Sequence, residues 1–224
     1  MKNVFLTAAV LAFVASPRLA TTAMAQAQTT YGQHGSSGHG NAALTLNQDM
    51  RKLWTDHVVW TREYIIAALG DQPDAPAAAT RLMKNQEDIG AAVAKFYGPQ
   101  AGQQMTTLLK EHITIAVDIV KAAKTGDKTG QVNANERWQQ NADQIADFLS
   151  KANPNWPKAT LQDMMRVHLS TTAAELTARL NKNWDGDVKA FDAVYDHILK
   201  MADALSDGII KQFPDKFRTA APVR

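Results

Sequence analysis

Leu53-Trp54-Thr55-Asp56-His57-Val58-Val59-Trp60-Thr61-Arg62-Glu63-Tyr64-Ile65-Ile66-Ala67-Ala68 places Leu53, Trp54, His57, Thr61, Tyr64, Ile65 and Ala68 at helical intervals along one face. Spacings of three and four bring side chains onto one stripe of an α-helix, so the stretch predicts a helix with a buried side. Gly70-Asp71-Gln72-Pro73 ends it, giving a predicted helix over 47–69. Within the apolar stripe one residue is out of place, the imidazole of His57.

Five more segments follow the same rule. A helix over 76–97 opens behind Asp74 and Pro76 and stops at Gly98-Pro99. The next, over 100–124, carries Met105, Leu108, Leu109, His112, Ile115, Ala116 and Ile119 on its face. A segment over 133–152 carries Trp138, Asn141, Ile145, Phe148 and Leu149. The segment over 157–181 begins at Pro157, whose missing N–H costs nothing in a first turn, and presents Leu161, Met164, Met165, His168, Thr172 and Leu176. The last, over 187–213, presents Val194, Ile198, Met201, Leu205 and Ile209. No stretch alternates with the period of a strand. Six helices on short connections predict an all-α antiparallel helical bundle over 45–216, with 217–224 as a tail. A gap-free shift of 56 residues lays the second and third helices on the fourth and fifth: Arg81 falls on Arg137, Asn85 on Asn141, Ile89 on Ile145 and His112 on His168. That match predicts duplicated helix hairpins. The first and sixth segments repeat the pattern more loosely, around His57 and His197.

Ahead of the bundle, Lys2, an apolar run from residue 4 to 15 and Ala23-Met24-Ala25 have the layout of a secretory signal peptide over 1–25, with cleavage expected after Ala25. The run is too short to cross a bilayer. Residues 26–44 are rich in Gly and Ser and nearly uncharged, which predicts a flexible linker. The leader holds Lys2 and Arg18 and no acid, so the 24 basic and 22 acidic side chains of the 224-residue chain become 22 of each. Balanced charge with no basic stripe argues against a nucleic-acid partner. A secreted or periplasmic protein is expected, with no transmembrane segment in the mature chain. Cysteine is absent, which excludes a disulfide framework, a thiolate metal site and a cysteine nucleophile.

His57, His112, His168 and His197 each fall near mid-helix on or beside an apolar face, so a 1.5 Å rise per residue sets them in one layer of the bundle. Neutral imidazole is the commonest metal ligand, and bundle cores are where facing helices build such sites. The four histidines are therefore the candidate metal ligands, with Asn85, Asn141, Asp56, Glu111 and Asp196 as groups that would orient their second ring nitrogens. Zinc, copper or nickel suits all-imidazole ligation; Met105, Met164, Met165 and Met201 read as core filler, though with histidine they could suit copper. Haem held by two histidines is a further option that nothing in the sequence selects. Trp54, Leu109, Met165 and Val194 stand three residues before the histidines, so the Glu-x-x-His of carboxylate-bridged di-iron bundles is missing. His-x-x-x-His, a nucleophile elbow and a phosphate loop are missing too, leaving no recognisable catalytic motif. The alternative expectation is a structural or envelope-associated interaction module whose histidines serve only core hydrogen bonds.

Leu53-Trp54-Thr55-Asp56-His57-Val58-Val59-Trp60-Thr61-Arg62, Lys95-Phe96-Tyr97-Gly98, Leu109-Lys110-Glu111-His112-Ile113 and Ile210-Lys211-Gln212-Phe213 together resemble a family of bacterial, often secreted, all-helical proteins without an assigned activity. The resemblance runs over about residues 47–214 and implies the same helical fold. Some members carry enzyme names such as acetylglutamate kinase or glycosyltransferase. Those names imply α/β folds with nucleotide-binding loops, and this sequence has neither strands nor such a loop.

Overall fold

Caps and turns set the bounds of six helices in the computed structural model, which describes residues 39–218: α1 (His39–Leu69), α2 (Ala75–Tyr97), α3 (Pro99–Thr125), α4 (Lys128–Ala152), α5 (Lys158–Leu180) and α6 (Trp184–Gln212), followed by a 3₁₀ turn at Pro214–Lys216. No strand occurs among the described residues. The Asp127 side chain accepts from the Gly130 N–H and opens α4, and Asn183 does the same for Gly186 at the start of α6. A single residue, Gly98, joins α2 to α3 at φ 87°, a left-handed value that a side chain would oppose, and Pro99 then starts α3.

Two helices begin five or more residues earlier than periodicity predicts. α1 starts at His39 rather than 47, so residues 39–44 are helical and not linker. Leu46 and Met50 are buried ahead of Trp54 on the same face, and they extend the packed stripe backwards. α4 starts at Lys128 rather than 133 because of its aspartate cap. At the other end Phe217, expected in the tail, is buried and stacks on Phe96 at 6.0 Å between ring centres. The signal peptide expected over 1–25 and residues 26–38 of the expected linker lie outside the described residues. Among the described residues, no helix is long and apolar enough to cross a membrane.

Each helix packs on its neighbours in chain order, and α6 returns to α1 to close a ring. Short connections turn each helix antiparallel to the one before it. α1, α3 and α5 consequently run in one direction, and these three also touch one another across the middle. One apolar cluster fills the bundle with Trp54, Ile89, Met105, Ile145, Met165 and Ile198 from all six helices. A smaller one, with Tyr64, Ile65, Val120 and Leu176, lies towards the end where α1, α3 and α5 finish.

That end is tied by buried charge. Arg62 of α1 donates to Glu175 Oε1 at 2.7 Å and to both Asp187 oxygens at 3.0 and 3.1 Å, while Arg179 donates to Asp187 Oδ2 at 3.0 Å. Glu175 and Asp187 are almost fully buried, so α1, α5 and α6 are held by carboxylates with no recourse to water. Burial pushes the Glu175 carboxyl up to about 7, against the opposing pull of Arg62.

Candidate functional site

His57 lies 12 residues before the end of α1, His112 lies 13 before the end of α3 and His168 lies 12 before the end of α5. Because these three helices are parallel and central, equal distances from their ends put the rings at one height on the bundle axis. His57 and His168 have ring centres 5.6 Å apart, and His112 and His168 6.1 Å apart. All three are buried, with exposures of 2, 2 and 5%. His197 does not join them. It sits on α6, half-buried, where its Nε2–H donates to the Met164 carbonyl at 2.8 Å.

The three imidazoles line one cavity together with Trp54, Leu109, Ile145, Met165 and Met201. Its volume is about 10 Å³, the space of a single water or ion. Hydrogen bonds fix how two of the rings face it. Gln86 Nε2 donates to the Leu82 carbonyl at 2.7 Å and to Asn85 Oδ1 at 3.1 Å, which turns its Oε1 to His57 Nδ1 at 3.3 Å. Asn141 Nδ2 donates to the Leu108 carbonyl at 3.1 Å, which turns its Oδ1 to His112 Nδ1 at 2.8 Å. An amide oxygen only accepts, so both histidines carry their proton on Nδ1 and leave Nε2 as a bare lone pair. Trp54 Nε1, His112 Nε2 and His168 Nδ1 are buried without a protein partner.

The polar contacts recur from hairpin to hairpin. Asn85 Nδ2 donates to the carbonyl of Leu53, Asn141 Nδ2 to that of Leu108 and His197 Nε2 to that of Met164. Each acceptor lies four residues before the histidine of its own hairpin, so His197 stands where the other two hairpins have asparagine. Gln86 was not among the residues expected to support the layer. Its signal is a spacing of 29 residues from His57, which Asn141 repeats from His112. Asn141 meets His112 directly and Asn85 meets Gln86 rather than a ring, while the three neighbouring carboxylates meet neither. Asp56 pairs with Lys52 and Arg81, while Glu111 and Asp196 are exposed. A residue next to a histidine in a helix points about 100° away from it, which carries these acids out of the core.

Replacing the amide tests its role. Asn141→Leu keeps the branched outline of the side chain and strands the His112 Nδ1–H, so urea unfolding should register a loss of about 2 kcal/mol. Asn133→Leu, an exposed position on the same helix, should stay within about 0.5 kcal/mol. Equal effects at the two positions would remove Asn141 from the layer.

Burial lowers all three central imidazoles: His57 to about 4, His112 to about 3 with His57 adding to the effect, and His168 well below its ordinary value with the neighbouring histidines adding. Near neutral pH they are uncharged, which suits ligation and is far from the value an acid–base catalyst needs at neutral pH. Among the described residues, no group of three or more His, Asp and Glu side chains is already arranged to hold a metal ion. Three imidazoles on one ion, with nitrogens at about 2.0 to 2.1 Å, would have ring centres roughly 5 to 5.5 Å apart, so these rings stand somewhat more open than ligation requires. No protein-family model, curated protein or solved structure matches the chain.

Proposed function

We propose that this is a secreted or periplasmic bundle protein that binds one transition-metal ion, copper(I) in preference, through His57, His112 and His168. One observation carries the reading: three neutral imidazoles share an ion-sized cavity, and the Nδ1 protons of two are committed to amide oxygens. Outer-shell acceptors of this kind orient metal-ligating histidines. Copper(I) is favoured over zinc or nickel for two reasons. The thioethers of Met165 and Met201 line the same cavity and are soft donors. No carboxylate lines it, and the cost of burying an ion rises with the square of its charge, so a monovalent cation is the cheapest to accept. Uptake requires the three rings to draw together around a metal–nitrogen distance of about 2.0 to 2.1 Å. The recurrence of the Asn85, Asn141 and His197 contacts supports descent of the three hairpins from one duplicated unit.

Competition against a chromogenic copper(I) chelator, with the mature chain kept under reducing conditions, is expected to give one equivalent of bound copper. Met201→Leu preserves the packing and is expected to weaken binding about tenfold, with His112→Gln weakening it by more than about 100-fold. No copper retained by the folded chain, or both variants binding like the parent, rejects the assignment. A second reading rests on the cavity's size, which is also that of one water accepting from Trp54 Nε1 and donating to His112 Nε2. On that reading the protein is a structural or envelope-associated module, and its melting temperature does not respond to copper(I).

A further inference from the structure

One helical turn beyond the imidazoles the bundle holds a second cavity. Thr61 follows His57 by four residues, Ala116 follows His112 and Thr172 follows His168, and all three line it. Its volume is about 50 Å³, against the ~10–15 Å³ one water takes, which leaves room for roughly five heavy atoms. The deeper wall is aliphatic, built from Leu82, Ile113, Val120 and Leu176. Asn135 of α4 and Ala173 of α5 line it too and are exposed, so the cavity reaches the surface at the α4–α5 seam.

Two of the three hydroxyls on the wall, those of Thr61 and Thr172, are already used. Thr61 Oγ1 donates to the His57 carbonyl at 2.7 Å, and Thr172 Oγ1 to that of His168 at 2.9 Å. Trp138 differs: its ring is 4% exposed and packs on His112 at 5.2 Å, and its Nε1–H is buried without a partner. Among the described residues it is the unpartnered buried donor on this wall. A cavity surface that is almost wholly apolar is a poor water site, since a buried water needs two to four polar partners. It suits a molecule that offers one acceptor and is otherwise apolar.

We propose that the cavity beside Trp138 binds a small neutral molecule of about five heavy atoms, an apolar body with one hydrogen-bond acceptor such as a short ketone, ether or ester. Entry is through the α4–α5 seam, and the Trp138 indole N–H holds the acceptor. The site does not depend on a metal at the histidines.

Butanone and 2-methyl-1-butene make the test, because they share a shape and only the first has an acceptor. Each is titrated into the isotope-labelled mature chain in metal-free buffer and followed by NMR. Butanone is expected to give saturable shifts at the methyls of Leu82, Ile113, Val120 and Leu176 and to move the Trp138 Nε1–H downfield. The alkene is expected to bind the same methyls about fivefold more weakly and to leave that N–H in place. Trp138→Phe, which keeps the wall and removes the donor, is expected to bring the two affinities together. Shifts that do not saturate, shifts spread over the surface, or equal affinities in the parent chain with an unmoved Trp138 N–H each overturn the proposal.

Discussion

Lowering the pH from 7 to 5 is expected to remove about 4 kcal/mol of folding stability, seen as a fall in the urea midpoint at constant slope. The unfolded chain exposes three histidines with ordinary values near 6.5 that take up protons across this range. In the fold, burial holds His57 at about 4, His112 at about 3 and His168 well below the ordinary value, so they take up almost none. A depressed folded value means stability that is full above 6.5 and drains as the pH falls towards the folded value. At pH 5 each ring accounts for about 2 kcal/mol, or about 6 kcal/mol for the three. Glu175 works the other way. Its carboxyl is raised to about 7, so its ionisation opposes folding above that value, and acidification returns about 2 kcal/mol. The remainder is large against a typical total of about 5 to 15 kcal/mol, so the bundle should be markedly less stable in mild acid. His168→Phe should lower the number of protons taken up on unfolding near pH 5.5 by about one. A stability profile flat between pH 7 and 5 would mean that the imidazoles are not sealed from water.

Helical periodicity made the fold legible because all six segments carry a buried stripe, and a stripe is what spacing records. It was less informative at the helix starts. His39 and Lys128 begin their helices through an extension of packed residues and through a side-chain cap, and neither leaves a full turn of apolar pattern. The histidine layer was legible for a related reason. Height along a helix follows from counting residues to its ends, so His57, His112 and His168 could be placed level before any contact was known.

What spacing does not record is which helices meet. Four histidines at mid-height read as one set, yet the closed ring brings only α1, α3 and α5 together on the axis and leaves His197 outside with α6. Periodicity says that His197 faces inward. It is silent on whether inward means the axis or a neighbour's backbone. The same limit hid Gln86: its i+29 relation to His57 carries meaning only once α1 and α2 are known to pair antiparallel.

The close approach of α2 and α3 supplies the second large effect: Gly102→Ala is expected to cost about 3 kcal/mol, although alanine favours a helix over glycine by about 1 kcal/mol. A Cβ at Gly102 would lie 2.6 Å from both the Gly90 carbonyl oxygen and the Ala94 Cβ, and neither can turn away by changing rotamer. Relief requires the two helices to separate, which loosens Ile89, Val93, Met105 and Leu109 in the apolar cluster behind them. Gly90→Ala meets the mirror of this problem, since its Cβ would lie 2.6 Å from the Gly102 carbonyl oxygen and overlap the Thr106 hydroxyl. One separation relieves both clashes. The double variant should therefore cost little more than the worse single one, and a double-mutant cycle should return a coupling above about 1 kcal/mol. Strict additivity would mean that each alanine is accommodated locally and that the α2–α3 distance is not set by these two glycines. The separation should also reach the metal reading, because Leu109 and His112 ride on α3 and line the imidazole cavity. Gly102→Ala is accordingly expected to weaken copper(I) binding, whereas an exposed helix substitution of similar size, such as Ala91→Ser, should leave it unchanged.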